Sequence, residues 1–362
     1  PELSYQEFET SKFVQGKLKE FGIPFTVIAT TGVVGIIEGK NPNKRIVALR
    51  ADMDALPIKE ENDIPYKSKN DGIMHACGHD VHTTCLLGAA KILNELKAEW
   101  EGTVKLIFQP GEENGLGAQA MIDAGALGNP IPMAIFALHA WPHLEFGVVA
   151  SKSGMITSAI DYFRITVTGK GGHGARPHET ISPIMCIARI AQQISALTRK
   201  DENDNVPCVV SVGLIQGGNV ANVIPDHASI EGTIRSLNEE DRQKTLDTFN
   251  NTVNTICIQE RVSVNIDLLK YGPPVNNHPD LYHLFETVGD DLLIPEKRAY
   301  ISKQSMGSED FGNFTRLLPG LLIRLGMGTS SPQLHTSTFD FCDGSLEAGI
   351  TILAGLAMKA TE

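Results

Sequence analysis

Glu112 and Glu113 stand side by side in the segment Phe108-Gln-Pro-Gly-Glu-Glu-Asn114. Adjacent carboxylates repel, so the pair needs a cation or a proton to settle it. Candidate metal ligands flank it in sequence: His75-Ala-Cys-Gly-His-Asp-Val-His82 before, and His139 in Leu138-His-Ala-Trp-Pro142 after. Cys77 and His79 put a thiol and an imidazole two residues apart, where they can serve one ion or bridge two. Alone, Cys-x-His reads better as a buried cysteine beside a helix-capping histidine. With His75, Asp80 and His82 alongside, and Asp54, Glu113 and His139 at strand ends, metal binding is the stronger reading. A mixed S, N and O set suits Zn²⁺, Mn²⁺, Co²⁺ or Fe²⁺ and does not choose among them.

A solvated acidic turn is the competing reading of Glu112-Glu113. Against it, the pair follows a strand and Pro110-Gly111, where backbone approaches a site closely, and it precedes Asn114-Gly-Leu-Gly117 and a helix. One carboxylate on a metal and its neighbour free to take a proton from an activated water would make a hydrolase. His335, in Gln333-Leu-His-Thr336, is a further ligand candidate. Gly169-Lys-Gly-Gly-His-Gly174 lacks the Lys-Ser/Thr ending of a phosphate loop and reads as a flexible turn presenting His173. Asn222 lies in a second Gly-rich turn and could aim an amide at a ligand or cap the turn. Arg235 ends a strand, where it could bind a carboxylate bidentately or face solvent.

These side chains need a scaffold that gathers them. Ser4-Tyr-Gln-Glu7 predicts a capping box opening a helix that Gly22 stops. Apolar runs at 33–37, 46–49, 104–108 and 134–138 read as strands, with helices over 83–96 and 116–124 between them. Alternating strands and helices predict an α/β, mostly parallel sheet covered on both faces. Asp52 and Asp54 then follow the second of these strands, Glu112 and Glu113 the third, and His139 the fourth, all at the carboxyl ends where such sheets bind ligands. From about Ile160 the order becomes β-α-β-β-α-β: strand 162–167, helix 184–197, strands 206–215 and 228–235, helix 239–253, strand 262–269. That is the ferredoxin-like unit. Residues 1–159 and 271–362 are expected to form one discontinuous domain, split by an inserted module at 160–270. The first domain finishes with a helix over 278–288, a strand at 321–325 and a last helix over 345–358.

Bulk properties exclude some classes. A chain of 362 residues favours two domains. A net charge of −12 argues against a nucleic-acid or anionic-membrane surface. The most apolar run, Leu317 to Met327, is cut by Pro319 and Arg324, so no membrane span is expected. Six cysteines without paired spacing point to a reducing compartment, and hence to the cytoplasm.

Taken in order, Arg50-Ala-Asp-Met-Asp-Ala-Leu-Pro57, Met74-His-Ala-Cys-Gly-His-Asp80, Gln109-Pro-Gly-Glu-Glu113 and Leu138-His-Ala-Trp-Pro142 resemble the metal-dependent amidohydrolases. These include hippurate hydrolase, N-acyl-amino-acid amidohydrolases and indole-acetyl-amino-acid hydrolases, within the aminoacylase and carboxypeptidase-G group of two-metal peptidases. The resemblance continues through Gly171-Gly-His-Gly-Ala-Arg-Pro-His178, Asn222-Val-Ile-Pro225, Met306-Gly-Ser-Glu-Asp-Phe311 and Leu334-His335, covering nearly the whole chain. It implies that Cys77, His79, Glu113, His139 and His335 hold two divalent ions, Mn²⁺ or Zn²⁺ first, with Co²⁺ or Ni²⁺ as alternatives. It makes Glu112 the general base and Asp54 an acid that orients a metal ligand from behind. It implies that the inserted module is a lid and the surface of a homodimer or higher oligomer. There His173 would stabilise an oxyanion, Asn222 would face the substrate, and Arg235 would hold its carboxylate. The implied reaction is hydrolysis of an N-acyl amino acid. Dipeptidase or carboxypeptidase action, or a non-catalytic metal-binding homologue, are the alternatives. Val81 and Glu145 depart from the usual pattern without touching a proposed ligand.

Overall fold

The computed structural model describes residues 1–198 and 206–362, which pack as two units. The first comprises Pro1–Ile156, Val275–Lys303 and Glu309–Glu362; the second comprises Thr157–Pro274 and Gln304–Ser308. The first unit begins with α1 (Phe8–Glu20), β1 (Phe25–Ile28), β2 (Gly32–Glu38), β3 (Ile46–Asp52) and α2 (His79–Glu95). It continues through β4 (Thr103–Gln109), α3 (Gly117–Asp123), β5 (Ala134–Trp141), β6 (Val149–Ser151) and β7 (Gly154–Met155). The second unit contains β8 (Ala159–Thr168), β9 (Gly172–His173), α4 (Pro183–Ser195), β10 (Cys208–Gly217), β11 (Val223–Ile224), β12 (His227–Ser236), α5 (Glu239–Glu260) and β13 (Ser263–Gly272). The chain then returns to the first unit with β14 (Asn276–Asn277), α6 (Pro279–Leu292), β15 (Arg298–Tyr300), α7 (Gly312–Thr315), β16 (Gly320–Gly326) and α8 (Leu346–Thr361).

The first unit is built on a sheet of order β1-β2-β4-β3-β5-β16-β14-β7, with β6 pairing β16 and β15 at the side. Its centre, β4-β3-β5-β16, is parallel, while β1 and β2 add antiparallel strands at one edge. Every residue of β4 and β16 is buried, as befits strands covered on both faces. Alternate residues divide between two cores. Val47, Leu49, Leu106, Phe136, Leu138, Ile323 and Leu325 pack toward α2 and α8, while Ala48, Ile107, Ile135, Ala137 and Leu322 pack toward α3 and α7. On the second face the side chains turn polar near the carboxyl ends: Arg50 and Asp52 on β3, Gln109 on β4, His139 on β5 and Arg324 on β16.

The second unit has an antiparallel sheet of order β10-β12-β8-β13, in which Phe163, Ile165 and Val167 share a core with Ile187 and Ile190 of α4 and Phe249 and Val253 of α5. A separate two-stranded ribbon pairs β9 with β11.

Two local expectations are corrected. There is no Ser4 capping box. Glu7 occupies the N-cap position of α1 without a side-chain cap, and its carboxylate instead accepts from Tyr5 N, Gly111 N and Thr31 Oγ1. Ser4 Oγ donates to Asp54 at 2.7 Å. Strand β5 also runs on past the expected Leu138 to Trp141, so His139 lies within a strand and not beyond its end.

Candidate metal centre

Asp54 organises the site from just beyond β3. Its Oδ1 accepts from His79 Nδ1 and from Glu112 N, both at 3.1 Å, and its Oδ2 accepts from Glu113 N at 3.0 Å as well as from Ser4. One buried carboxylate therefore fixes both the histidine that opens α2 and the turn carrying the Glu pair. Burial works against its ionisation, but the bonds from His79, Ser4 and Glu113 N hold its pKa below the usual value.

A carboxylate can only accept, so His79 carries its proton on Nδ1 and turns the Nε2 lone pair inward. That Nε2 is buried with no hydrogen-bond partner, 3.8 Å from Glu113 Oε1 and 4.0 Å from Glu112 Oε2. His139 is fixed in the same way. Its Nδ1 donates to the Ala140 carbonyl at 2.7 Å, leaving Nε2 free, 3.6 Å from Cys77 Sγ. His335 Nε2 lies 3.3 Å from the same sulfur and 3.4 Å from Glu113 Oε1, which is itself buried without a hydrogen-bond partner. Cys77, His79 and His139 form one group whose ligand atoms lie within 4.8 Å of each other, and Cys77, Glu113 and His335 form a second. Cys77 belongs to both.

The donor set fits divalent cations. Two orphaned buried atoms, His79 Nε2 and Glu113 Oε1, face a shared space and lack only a positive partner. Burial opposes a charge on His79, yet Asp52 and Asp54 hold its proton affinity well above that of an ordinary histidine. The pocket thus favours positive charge. Burial lowers the His139 pKa to about 4, so its imidazole stays neutral and able to ligate. Burial pushes the Cys77 thiol up to about 12, so a nearby cation is what would ionise it.

Local backbone supports this placement. Gly78, between Cys77 and His79, sits at φ +85°, and a Cβ there would come within 2.8 Å of Ala140 Cβ. His335 adopts φ +62°, unusual for a non-glycine residue, and is pinned by its N–H to the Ala76 carbonyl at 2.7 Å.

His82 is a different case from His79. Its Nε2 accepts from Ala140 N at 2.8 Å, so its Nδ1 proton goes to Asp52. Both nitrogens are occupied, and the side chain braces α2 against β5. Asp80 is exposed on α2, and His75 belongs to none of the ligand groups among the described residues.

The two glutamates have diverging surroundings. Burial opposes ionisation of Glu113, but His335 and His79 hold its pKa below the usual carboxylate range. Glu112 is raised well above that range by burial and then by the charges of Glu309, Asp310 and Glu113. Its Oε1 accepts from Asp310 N at 3.3 Å. Behind it, the fully buried Arg50 guanidinium donates to Gln109 Oε1 at 2.8 Å, Asp52 Oδ2 at 2.8 Å, Glu309 Oε1 at 3.0 Å and Asp310 Oδ1 at 2.9 Å. Asp310 also accepts from Gln109 Nε2 and Ala118 N. Burial and Glu309 overcome Arg50 and raise the Asp310 pKa to about 7. Sequence reading gave no role to Arg50, Glu309 or Asp310. All three stand in motifs that carry the resemblance, Arg50-Ala-Asp-Met-Asp54 and Met306-Gly-Ser-Glu-Asp-Phe311, and Arg50 follows directly on an apolar strand run.

His173, Asn222 and Arg235 lie in the second unit. His173 is exposed on β9, opposite Val223, and its Nδ1 accepts from Ala175 N. Asn222 is exposed, and its carbonyl accepts from Gly174 N. Arg235 is half-buried on β12, where its Nη1 donates to the Met306 carbonyl and Ser308 Oγ, both at 3.0 Å. All six cysteines are free, and no helix among the described residues is long and apolar enough to cross a membrane.

Comparison with known proteins adds independent findings. Residues 48–359 match the model of peptidase family M20/M25/M40. The chain is 40% identical to IAA-amino acid hydrolase ILR1-like 2 of Arabidopsis thaliana, covering 99% of this chain and 82% of that protein. It is 39% identical to thermostable carboxypeptidase 2 of Saccharolobus solfataricus, covering 99% and 92%. Among solved structures, the Bacillus subtilis YXEP protein, described as a dinuclear metal binding peptidase from the M20 family, superposes with a TM-score of 0.85 at 32% identity, covering 99% and 93%.

Proposed function

The chain belongs to peptidase family M20/M25/M40 and is a metal-dependent amidohydrolase, and from that premise we propose that it cleaves the amide bond of N-acyl amino acids, releasing a carboxylate and a free amino acid. The observation that carries this reading is the convergence of Cys77, His79, Glu113, His139 and His335 around two orphaned buried atoms, with the Glu112 carboxylate beside them.

In this reading those five residues hold two divalent cations, with Mn²⁺ and Zn²⁺ the first candidates. When bound, the ions supply Lewis acidity to the scissile carbonyl and to the attacking water. Glu112 takes the proton from that water and delivers it to the leaving amine. Its raised proton affinity suits the task, because a base that never holds a proton cannot act as the acid in the second half of the reaction. Asp310 N–H orients the Glu112 carboxylate, and Asp54 keeps both Glu112 and Glu113 on a single rigid turn.

The second unit is assigned as an inserted ferredoxin-like module acting as lid and dimer surface. In it His173 would steady the oxyanion, Asn222 would face the substrate, and Arg235 would hold a carboxylate. The chain-order β-α-β-β-α-β and the four-stranded antiparallel sheet support that assignment. The similarity to a carboxypeptidase keeps peptide cleavage on the same scaffold as the second reading.

The test is turnover of N-acetyl and N-benzoyl amino acids against dipeptides. Loss of activity with chelator and recovery with Mn²⁺ or Zn²⁺ is expected, with kcat/KM higher for the acyl amino acids. Faster cleavage of dipeptides would move the assignment to a dipeptidase, and a metal-loaded protein inert on every amide would sink it.

A further inference from the structure

Arg324 interrupts the most apolar run of the chain, and it is 93% buried, with a relative exposure of 7%. It sits near the carboxyl end of β16, in register with His139 on the neighbouring strand β5. Among the described residues no carboxylate lies within ion-pair distance of its guanidinium. Its one hydrogen-bond contact is Nη2 to the Ile156 carbonyl at 3.5 Å, the outer limit for such a bond. Trp141 lies beneath it, with the guanidinium carbon 3.8 Å from the ring centroid, and the Trp141 ring is in turn 6.3 Å from that of His139.

The other buried cations of the same unit are treated differently. Arg50 has four acceptors, and Lys105 Nζ donates to the carbonyls of Ala126 and Gly128. Arg324 has a single long contact for its five N–H donors, the fewest of the three. A buried charge without an opposite partner is costly, and the face of one indole offsets only part of that cost. The unpartnered nitrogens of Arg324 are not among the buried polar atoms sealed from solvent. Arginine's planar fork matches a carboxylate, and an aromatic floor holds that fork in one orientation.

We propose that Arg324, held flat on Trp141, is an anion-binding position that takes a carboxylate of the substrate beside His139. This rests on the amidohydrolase reading and deepens it. Two groups share the required chemistry: the α-carboxylate of the released amino acid, which Arg324 would then take in place of Arg235, or a distal carboxylate on a dicarboxylic acyl group. In either case the guanidinium binds without exchanging a proton, so Arg324 selects substrate and takes no part in bond breaking.

Paired substrates separate the two sources in the metal-loaded enzyme. One pair is an N-acetyl amino acid and its carboxamide, and the other is an N-succinyl and an N-acetyl amino acid amide. The kcat/KM ratio of the charged to the neutral member is expected to fall about tenfold to a hundredfold in Arg324→Met for one pair, mainly through KM. Arg324→Lys, which keeps the charge, should retain part of it. Ratios within about threefold of the wild type for both pairs overturn the proposal. If no substrate is turned over, the reading of function fails by itself, and binding then decides on Arg324. Succinate titrated into the metal-loaded protein should change Trp141 fluorescence saturably, with Kd at least about tenfold weaker in Arg324→Met. An equal Kd in the two proteins refutes the anion site.

Discussion

Replacing Asp54 by asparagine tests whether one carboxylate organises the whole centre. In the native site its two oxygens accept four hydrogen bonds, from His79 Nδ1, Glu112 N, Glu113 N and Ser4 Oγ. The better orientation of the amide keeps oxygen toward His79 and Glu112 and turns NH₂ toward Glu113 N and Ser4. Glu113 N–H then faces another donor and is orphaned, while Ser4 can rotate to accept. The two retained bonds change from charge-assisted to neutral, losing about 1 kcal/mol each, and an orphaned buried N–H costs about 1–3 kcal/mol. The sum is about 3–5 kcal/mol, concentrated on the Glu pair and on His79. If His79 ligates metal as proposed, weakening the acid behind it is expected to lower metal affinity about 10–100-fold. The assay is competitive titration of Mn²⁺ and Zn²⁺ against a chromophoric chelator, with thermal unfolding of the metal-free protein alongside. Metal affinity within about threefold of the wild type, together with an unshifted unfolding midpoint, would refute the reasoning, because it would mean that these four bonds do not position the ligands.

Glu112→Gln is expected to bind metal normally and to lose activity by about 10²–10⁴-fold, read from metal content and single-turnover kinetics; near-normal turnover would remove Glu112 from its role. Arg50→Met leaves Asp52, Glu309 and Asp310 without their shared cation and should destabilise the fold by about 3–5 kcal/mol in denaturant titration. Burial lowers the Lys105 pKa to about 8, below that of the unfolded chain. The folded state therefore binds fewer protons between about pH 8 and 10.5, so Lys105 makes stability rise with pH across that window, a rise that Lys105→Met should abolish in pH-dependent unfolding. Gly78→Ala forces a side chain into a left-handed conformation against Ala140 and should lower both thermal stability and metal occupancy, measured by calorimetry and metal analysis.

Some of the centre was legible from local chemistry. Cys77-Gly-His79 and Glu112-Glu113 are short-range signals, and placing them at strand ends followed from the alternation of apolar runs with helices. Partnerships across the chain were not legible. Arg50 meets Glu309 and Asp310 across about 260 residues, and nothing in the spacing of either segment points to the other. Ser4 looked like a helix cap because its hydroxyl could serve a local backbone N–H, but a buried carboxylate is the better acceptor. His82 and His79 are alike in sequence, three residues apart on one helix. Only the Ala140 amide, arriving from β5, distinguishes the braced histidine from the one with a free lone pair.

The division of labour within the glutamate pair follows from the same long-range contacts. Both backbone amides are tied to Asp54, so the two side chains leave one rigid turn and differ only in what they meet. Glu113 meets imidazoles, with His335 Nε2 at 3.4 Å and His79 Nε2 at 3.8 Å, and these favour its charged form. Glu112 also has His79 Nε2 at 4.0 Å, but it meets the acids Glu309 and Asp310 as well, which favour its protonated form, and Arg50 is already shared among Asp52, Glu309 and Asp310. Two neighbouring carboxylates whose surroundings push their proton affinities apart are suited to opposite tasks, one to hold a cation and one to carry a proton. Removing the acids behind Glu112 should therefore shift its task without emptying the metal site. In Glu309→Gln, metal affinity is expected to stay within about threefold while the acid limb of the kcat/KM profile moves to lower pH, because one charge opposing ionisation of Glu112 is gone. A limb that stays in place, or that moves to higher pH, would show that Glu309 does not set the proton affinity of Glu112.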